Sequence, residues 1–205
     1  MTNKTVAIVD YGMGNIYSVR KALSYLGWDS VYTKDKNELL NSNHIILPGV
    51  GSFRYAVDLI KSSGLDEIIN EYAVEKERPI LGICLGMQLM GQSSTEGGET
   101  KGLGLFNGIV DKFPEGKMRV PHVGFNDVSI QDDSILYRGF DSSADFYFVH
   151  SFRMESEETE RIGYCDYEGC RFVASYEKDN IFGTQFHPEK SQKNGLKLLE
   201  NFLNI

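Results

Sequence analysis

Apolar residues in this chain first appear as unbroken short runs, then as spaced ones. Thr5–Val9 and His44–Leu47 are continuous and rich in β-branched residues, as expected of strands buried on both faces. Ile16, Val19, Leu23 and Leu26 fall at helical spacing after the turn Tyr11–Asn15, with Asn15 placed to cap the helix and Gly27 to end it. Asp29–Thr33 reads as a strand, Phe53–Ser62 and Leu65–Glu77 as helices, Pro79–Ile83 as a fourth strand and Leu85–Gln92 as the helix after it. Strand and helix alternate through this half, which predicts a parallel sheet with helices on both faces. The pattern then changes. Ile109–Phe113, Asn126–Ile130, Phe146–Val149, Ile162–Tyr167, Arg171–Tyr176 and Ile181–Phe186 are short strand candidates separated by turns, and Asn194–Leu203 is an amphipathic helix. The expectation is an α/β fold: one domain over residues 1–205, a mostly parallel central sheet flanked by helices, and an antiparallel or mixed extension of that sheet.

Composition narrows the function classes. With 205 residues the chain can bury a sizeable core. A net charge of −8 without a Lys/Arg cluster argues against a nucleic-acid partner. No apolar run is long enough to span a membrane, and Met1–Lys4 leads directly into a strand without a signal-peptide core. Three cysteines, an odd count, speak against a disulfide framework and for a reducing, cytoplasmic compartment. Cys165 and Cys170 are not spaced as a zinc pair, and nothing in the pattern asks for a metal or a cofactor. Glu155–Glu160 reads as a solvated acidic loop.

The candidate chemistry centres on Pro79-Ile80-Leu81-Gly82-Ile83-Cys84-Leu85-Gly86-Met87-Gln88. A cysteine with a glycine two residues to either side, between a strand and a helix, is the thiol form of the nucleophile elbow. Side chains at Gly82 and Gly86 would collide with neighbouring backbone. The turn exposes Cys84 at the sheet edge and at a helix N-terminus, which favours thiolate. Taken singly, a cysteine in such a turn also fits a buried structural residue. A thiol nucleophile needs a base and an orienting group. Of His44, His122, His150 and His187, the last ends a strand in Gln185-Phe186-His187-Pro188-Glu189, with Glu189 placed to hold one ring nitrogen. An oxyanion hole is expected from the backbone N–H of Leu85 and from the loop Gly49-Val50-Gly51 after the third strand.

These segments resemble the class I (triad) glutamine amidotransferases over nearly the whole chain. Asp10–Asn15, Leu47–Phe53, Val120–Asn126, Tyr147–Ser151 and Gly183–Ser191 are similar in particular to the glutaminase subunits of imidazole glycerol phosphate synthases, in the histidine pathway. The resemblance implies a nucleophile at Cys84, a general base and acid at His187 and an orienting carboxylate at Glu189. It implies that Gln88, Glu96 and Ser151, with the Gly49–Gly51 backbone, hold L-glutamine. It also implies a one-to-one heterodimer with a (β/α)8-barrel cyclase subunit that receives the ammonia, with Pro121–Asn126 and Lys190–Ser191, notably His122, Phe125 and Lys190, at the interface. The chain departs from the family pattern in two places: Phe125 stands where Trp is common, and Ile16-Tyr17 where Leu-Arg is common. Relatives of this subunit supply ammonia for amidination of surface-polysaccharide sugars, so the acceptor stays open. Two other classes also stay open: a stand-alone thiol hydrolase acting on γ-glutamyl bonds, and a binding module that keeps the fold without the chemistry.

Overall fold

The structure is a computed structural model and describes residues 4–116, 118–157 and 161–205. Residues 1–3, and the end of the acidic run at 158–160, lie outside the described residues. The parallel part of the sheet is β2 (Asp29–Thr33), β1 (Thr5–Val9), β3 (His44–Leu47), β4 (Ile80–Ile83) and β13 (Ile181–Thr184), side by side in that order. The sheet continues through β12 (Cys170–Lys178), β10 (Phe152–Glu155), β7 (Ile109–Lys112), β5 (Ser93–Ser94) and β6 (Thr100–Lys101). β12 is antiparallel to β13 and to β10, and β10 to β7. β11 (Ile162–Tyr167) pairs with both β12 and β8 (His122–Ser129), and β8 pairs along its whole length with β9 (Ser143–His150).

The unbroken apolar strands are unbroken because helices cover both faces. In β1, Ala7 and Val9 face one core with α3 (Phe53–Ser62) and α4 (Leu65–Asn70); Val6 and Ile8 face the other with α1 (Ile16–Tyr25) and α6 (Gln192–Leu203). The second core also takes the aromatic side chains of the extension, Phe146, Phe148 and Phe172.

Several element boundaries differ from the sequence reading. α2 (Lys36–Asn41) was not expected; it is short, and Asp35 caps it by accepting from the N–H groups of Asn37 and Glu38. The helix expected over Leu65–Glu77 is α4 followed by a π-helical turn, Glu71–Glu75. The elbow helix α5 (Leu85–Leu89) is shorter than expected. β8 starts at His122, four residues earlier than read, since the pairing with β9 carries it through Gly124. β10 was missed altogether. Asn15 stands at the N-cap of α1 but makes no cap bond; its amide donates to Ser18 Oγ instead.

Candidate active site

Three strand ends on the carboxyl edge of the parallel sheet meet at one place, as open α/β sheets do where they bind ligands. Cys84 leaves β4 with φ +54° and ψ −111°, and α5 begins with the next residue. The flanking glycines are required by contact. A Cβ on Gly86 would sit 1.8 Å from the Leu47 carbonyl oxygen, and one on Gly82 2.6 Å from the Met87 nitrogen. Strand β3 therefore presses directly on the elbow. Cys84 is 7% exposed, and its own N–H donates to the Thr184 carbonyl at 2.7 Å.

His187 lies just beyond β13, the neighbour of β4. After Thr184 the chain keeps its register with β12 for one more residue, Gln185 N–H donating to Ala174 O, and then turns toward β9, His187 N–H donating to Tyr147 O. A 3-10 turn, Pro188–Lys190, then delivers Glu189. Ser191 ties this turn down, its hydroxyl donating to His187 O while accepting from the Tyr147 N–H. Gly195 lets α6 pack against the same turn, since a Cβ there would lie 1.8 Å from Pro188 O. Glu189 Oε1 takes the Nδ1 hydrogen of His187 at 2.8 Å, with both side chains almost wholly buried. The Nε2 atom is left without a hydrogen-bond partner among the described residues. Burial alone would lower the His187 pKa. The Cys84 sulfur and then the Glu189 carboxylate outweigh it and hold the imidazole well above the usual histidine value.

The loop Gly49–Gly51 lies against the start of α5. A Cβ on Gly49 would be 2.7 Å from the Gly86 nitrogen, and Gly51 adopts φ +102°. Tyr11 holds the loop by donating its hydroxyl hydrogen to Pro48 O at 2.6 Å; burial, then Cys84, pushes that phenol's pKa up. Leu85 is the first residue of α5, so its N–H has no partner inside the helix. The loop and the first turn of α5 thus pack directly against each other next to Cys84.

The remaining sequence candidates separate into two groups. Glu96 is at the loop: its Oε2 accepts the N–H of Phe53, capping α3 where the Gly49–Gly51 loop enters it. Ser151 follows β9, whose Val149 carbonyl is 4.0 Å from Cys84 Sγ. Gln88 sits on α5, one turn beyond Cys84. It is buried, and its Nε2 hydrogens go to Phe152 O (3.0 Å) and Gln185 Oε1 (2.7 Å), which leaves only the carbonyl oxygen for a substrate. His122 needs correction as an interface residue. It is 1% exposed, because the period-2 alternation of β8 turns it inward while Val123 and Phe125 face out. Phe125 and Lys190 are exposed, and both lie against Tyr147, Phe125 edge-on at 5.6 Å and the Lys190 ammonium 5.9 Å from the ring centre. Sequence reasoning missed Gln185, whose amide nitrogen is 3.7 Å from Cys84 Sγ. The available signal was its position two residues before His187, on the same side of an extended chain.

The family model described as glutamine amidotransferase class-I matches residues 7–205. The chain belongs to this family. Imidazole glycerol phosphate synthase subunit HisH 1 of Campylobacter jejuni (strain RM1221) is 45% identical over 201 residues, covering 98% of this chain and all of that protein. Subunit HisH of Caldanaerobacter subterraneus subsp. tengcongensis is 44% identical over 197 residues, 96% of each chain. Among solved structures, a putative GMP synthase protein from Thermoplasma acidophilum superposes with a TM-score of 0.74 at 22% identity, covering all of this chain and 94% of that one. PurLQS from Thermotoga maritima does so with 0.73 at 23%, covering 99% of both. At those identities the structures establish the shared amidotransferase fold. Among the described residues no helix is long and apolar enough to cross a membrane, and no group of His, Cys, Asp or Glu is placed to hold a metal ion.

Proposed function

We propose that this amidotransferase is the glutaminase subunit of an imidazole glycerol phosphate synthase. It hydrolyses L-glutamine to glutamate and ammonia and passes the ammonia to a (β/α)8-barrel partner. The observation that carries the chemistry is the His187 ring, with Nδ1 held by a buried carboxylate and Nε2 left free beside Cys84. Kinship with named HisH subunits at 44–45% identity carries the pathway.

In this reading the Cys84 thiolate attacks the side-chain amide carbon of glutamine. The oxyanion forms against the backbone N–H groups of Leu85 and the Gly49–Gly51 loop. His187 gives its Nε2 proton to the departing ammonia and leaves a γ-glutamyl thioester. It then takes a proton from water, whose oxygen attacks the thioester and releases glutamate and the thiolate. Glu189 keeps the ring oriented and stabilises its cationic form. Glu96 and Ser151 border the substrate space, and the Gln88 carbonyl oxygen offers it an acceptor. Phe125, Tyr147 and Lys190, joined by exposed Val123, form the surface that meets the barrel in a one-to-one complex in the cytoplasm.

The test is titration of the purified chain with the barrel partner, in the presence of the partner's nucleotide ligand, while glutamate release is followed. Saturable activation at equimolar ratio is the expected result, because activation is a coupling between two sites and requires contact. Equal turnover with and without the partner would favour a stand-alone hydrolase, and no turnover in either case a binding module. Phe125 in place of the common Trp and Ile16-Tyr17 in place of the common Leu-Arg are the two features that favour a polysaccharide-amidinating partner; assay with each barrel protein and its acceptor decides between them.

A further inference from the structure

A second polar construction lies behind the thiol, in the β8–β9 ladder. His122 and His150 are direct cross-strand partners, and His122 Nδ1 is 2.9 Å from His150 Nε2. His150 Nδ1 is 2.7 Å from the Phe152 carbonyl oxygen, and His122 Nε2 is 2.7 Å from the Asn126 amide nitrogen. On its other side the Phe152 oxygen receives the Gln88 amide, which also donates to Gln185, whose amide nitrogen faces Cys84 Sγ. Six hydrogen bonds thus join Asn126 to the sulfur.

The direction of every bond follows from one atom. A backbone carbonyl can only accept. His150 must therefore carry a hydrogen on Nδ1, and Gln88 must present its nitrogen. A neutral His150 then accepts at Nε2, so His122 carries its hydrogen on Nδ1 and accepts from Asn126 at Nε2. Gln88 uses its second hydrogen on Gln185 Oε1, which turns the Gln185 nitrogen toward the thiol. Both histidines are held neutral, since burial pulls His122 down to about 4 and His150 down to about 3. The rings cannot swivel freely: His122 is stacked between Phe148 and Tyr167 at 4.7 and 4.0 Å. A buried network with every member satisfied in a single sense is stiff.

We propose that Asn126, His122, His150, the Phe152 carbonyl, Gln88 and Gln185 form one directional relay from the exposed edge of β8 to Cys84. Gln185 donates to the sulfur and stabilises its thiolate. His122 and His150 are positioning residues that hold the Phe152 carbonyl, and through it the two glutamines, in the orientation this donation needs. The proposal rests on the reading of Cys84 as nucleophile. Asn126, on the inward face of β8 with His122, is the outer end of the relay.

Two measurements on the full chain test it. With 15N-histidine labelling, two-bond correlation spectra report which ring nitrogen bears the proton; the relay requires Nδ1 on both His122 and His150 at pH 7. The second is the pH dependence of Cys84 alkylation by iodoacetamide, which reads the thiol without glutamine or partner. Gln185→Met should move the midpoint up by about one pH unit, a roughly tenfold slower reaction below it. His150→Phe should shift it in the same direction. His150→Asn, which restores a donor near the Nδ1 position, should return it toward the wild type. A proton on Nε2 of either ring, an unshifted Gln185→Met midpoint, or identical behaviour of His150→Phe and His150→Asn would overturn the relay. Failure of the glutaminase reading is separate: it shows as a chain that alkylates normally yet releases no glutamate with any barrel partner.

Discussion

His187 and Glu189 are bonded 2.8 Å apart, Nδ1 to Oε1, inside a turn that excludes water from both side chains. In the proposed glutaminase reaction the two should contribute unequally. Removing the imidazole deletes proton transfer to the leaving ammonia and from the attacking water, a contribution of about 10²–10⁴-fold. Removing the carboxylate leaves a base that is only less well held. His187→Ala should therefore lower kcat for glutamine hydrolysis more than Glu189→Gln does. Near-normal turnover of His187→Ala, with loss in His150→Ala, would move the base to His150.

Cys84 should carry the covalent intermediate alone. Cys165 is buried, and burial pushes its thiol up to about 12, so it is protonated at neutral pH. Cys170 is paired with Arg153, whose Nε hydrogen goes to its Sγ at 3.2 Å, rather than with a histidine that could protonate a leaving group. A glutamine-analogue diazoketone, followed by peptide mapping, should mark Cys84 and leave the other two unmodified. Cys84→Ala should abolish glutamine-dependent synthesis while added ammonia still supports the partner's reaction.

Acid stability should depend on His44. Its ring lies between Trp28 and Phe202, with centroids 5.0 Å away on each side, and both ring nitrogens lack partners among the described residues. Burial first, then the charge of Arg78, lowers its pKa from 6.5 to about 4. Between those values the unfolded chain takes up a proton that the folded chain refuses. Stability from this group is therefore complete above pH 6.5 and is lost as pH falls toward 4. His44→Phe removes that dependence. Its Tm relative to wild type should rise as pH is lowered from 7 to about 4.5; a constant difference across that range would show that His44 titrates in the fold as it does in the unfolded chain.

The elbow glycines should tolerate no side chain. A methyl group at Gly86 would meet the Leu47 carbonyl at 1.8 Å, and both groups belong to backbone that cannot rotate away. Forced displacement in a packed interior costs about 1–3 kcal/mol or more, and each kcal/mol lowers Tm by roughly 2–4 °C in a chain of this size. Gly86→Ala should show both the lower Tm and a disproportionate loss of alkylation at Cys84, since the oxyanion loop leans on the same atoms.

The parts legible in the sequence are those where one local pattern has one cause. β1, β3 and β4 stood out because strands covered on both faces carry no polar alternation, and Gly82-Ile83-Cys84-Leu85-Gly86 because two close backbone approaches demand two glycines. α2 escaped because six residues offer too little periodicity, although Asp35 with Glu38 was a capping signal. β10 was hidden directly behind β9, separated from it by Ser151 alone. His122 was misplaced because a resemblance assigns a segment to an interface, while pleating decides which of its residues face out. Gln185 and the bond between His122 and His150 depend on strand pairings between distant segments, and no local spacing reveals those.

Strand β13 has a consequence for how the protein is made. Cys84 is synthesised in the first half of the chain, but β13, the second strand that pairs with β4, and the Thr184 carbonyl that receives the Cys84 N–H come near its end. A nascent chain still on the ribosome thus holds the thiol without its base, its second neighbouring strand or the partner of its own amide. In the proposed reaction the assembled site arrives together with the last parallel pairing, so an incomplete translation product carries the thiol without the machinery to turn glutamine over. Because such long-range pairing also closes slowly, labelling of Cys84 by the glutamine-analogue diazoketone, which needs the assembled site, should appear during refolding with the final folding phase rather than with the formation of helices.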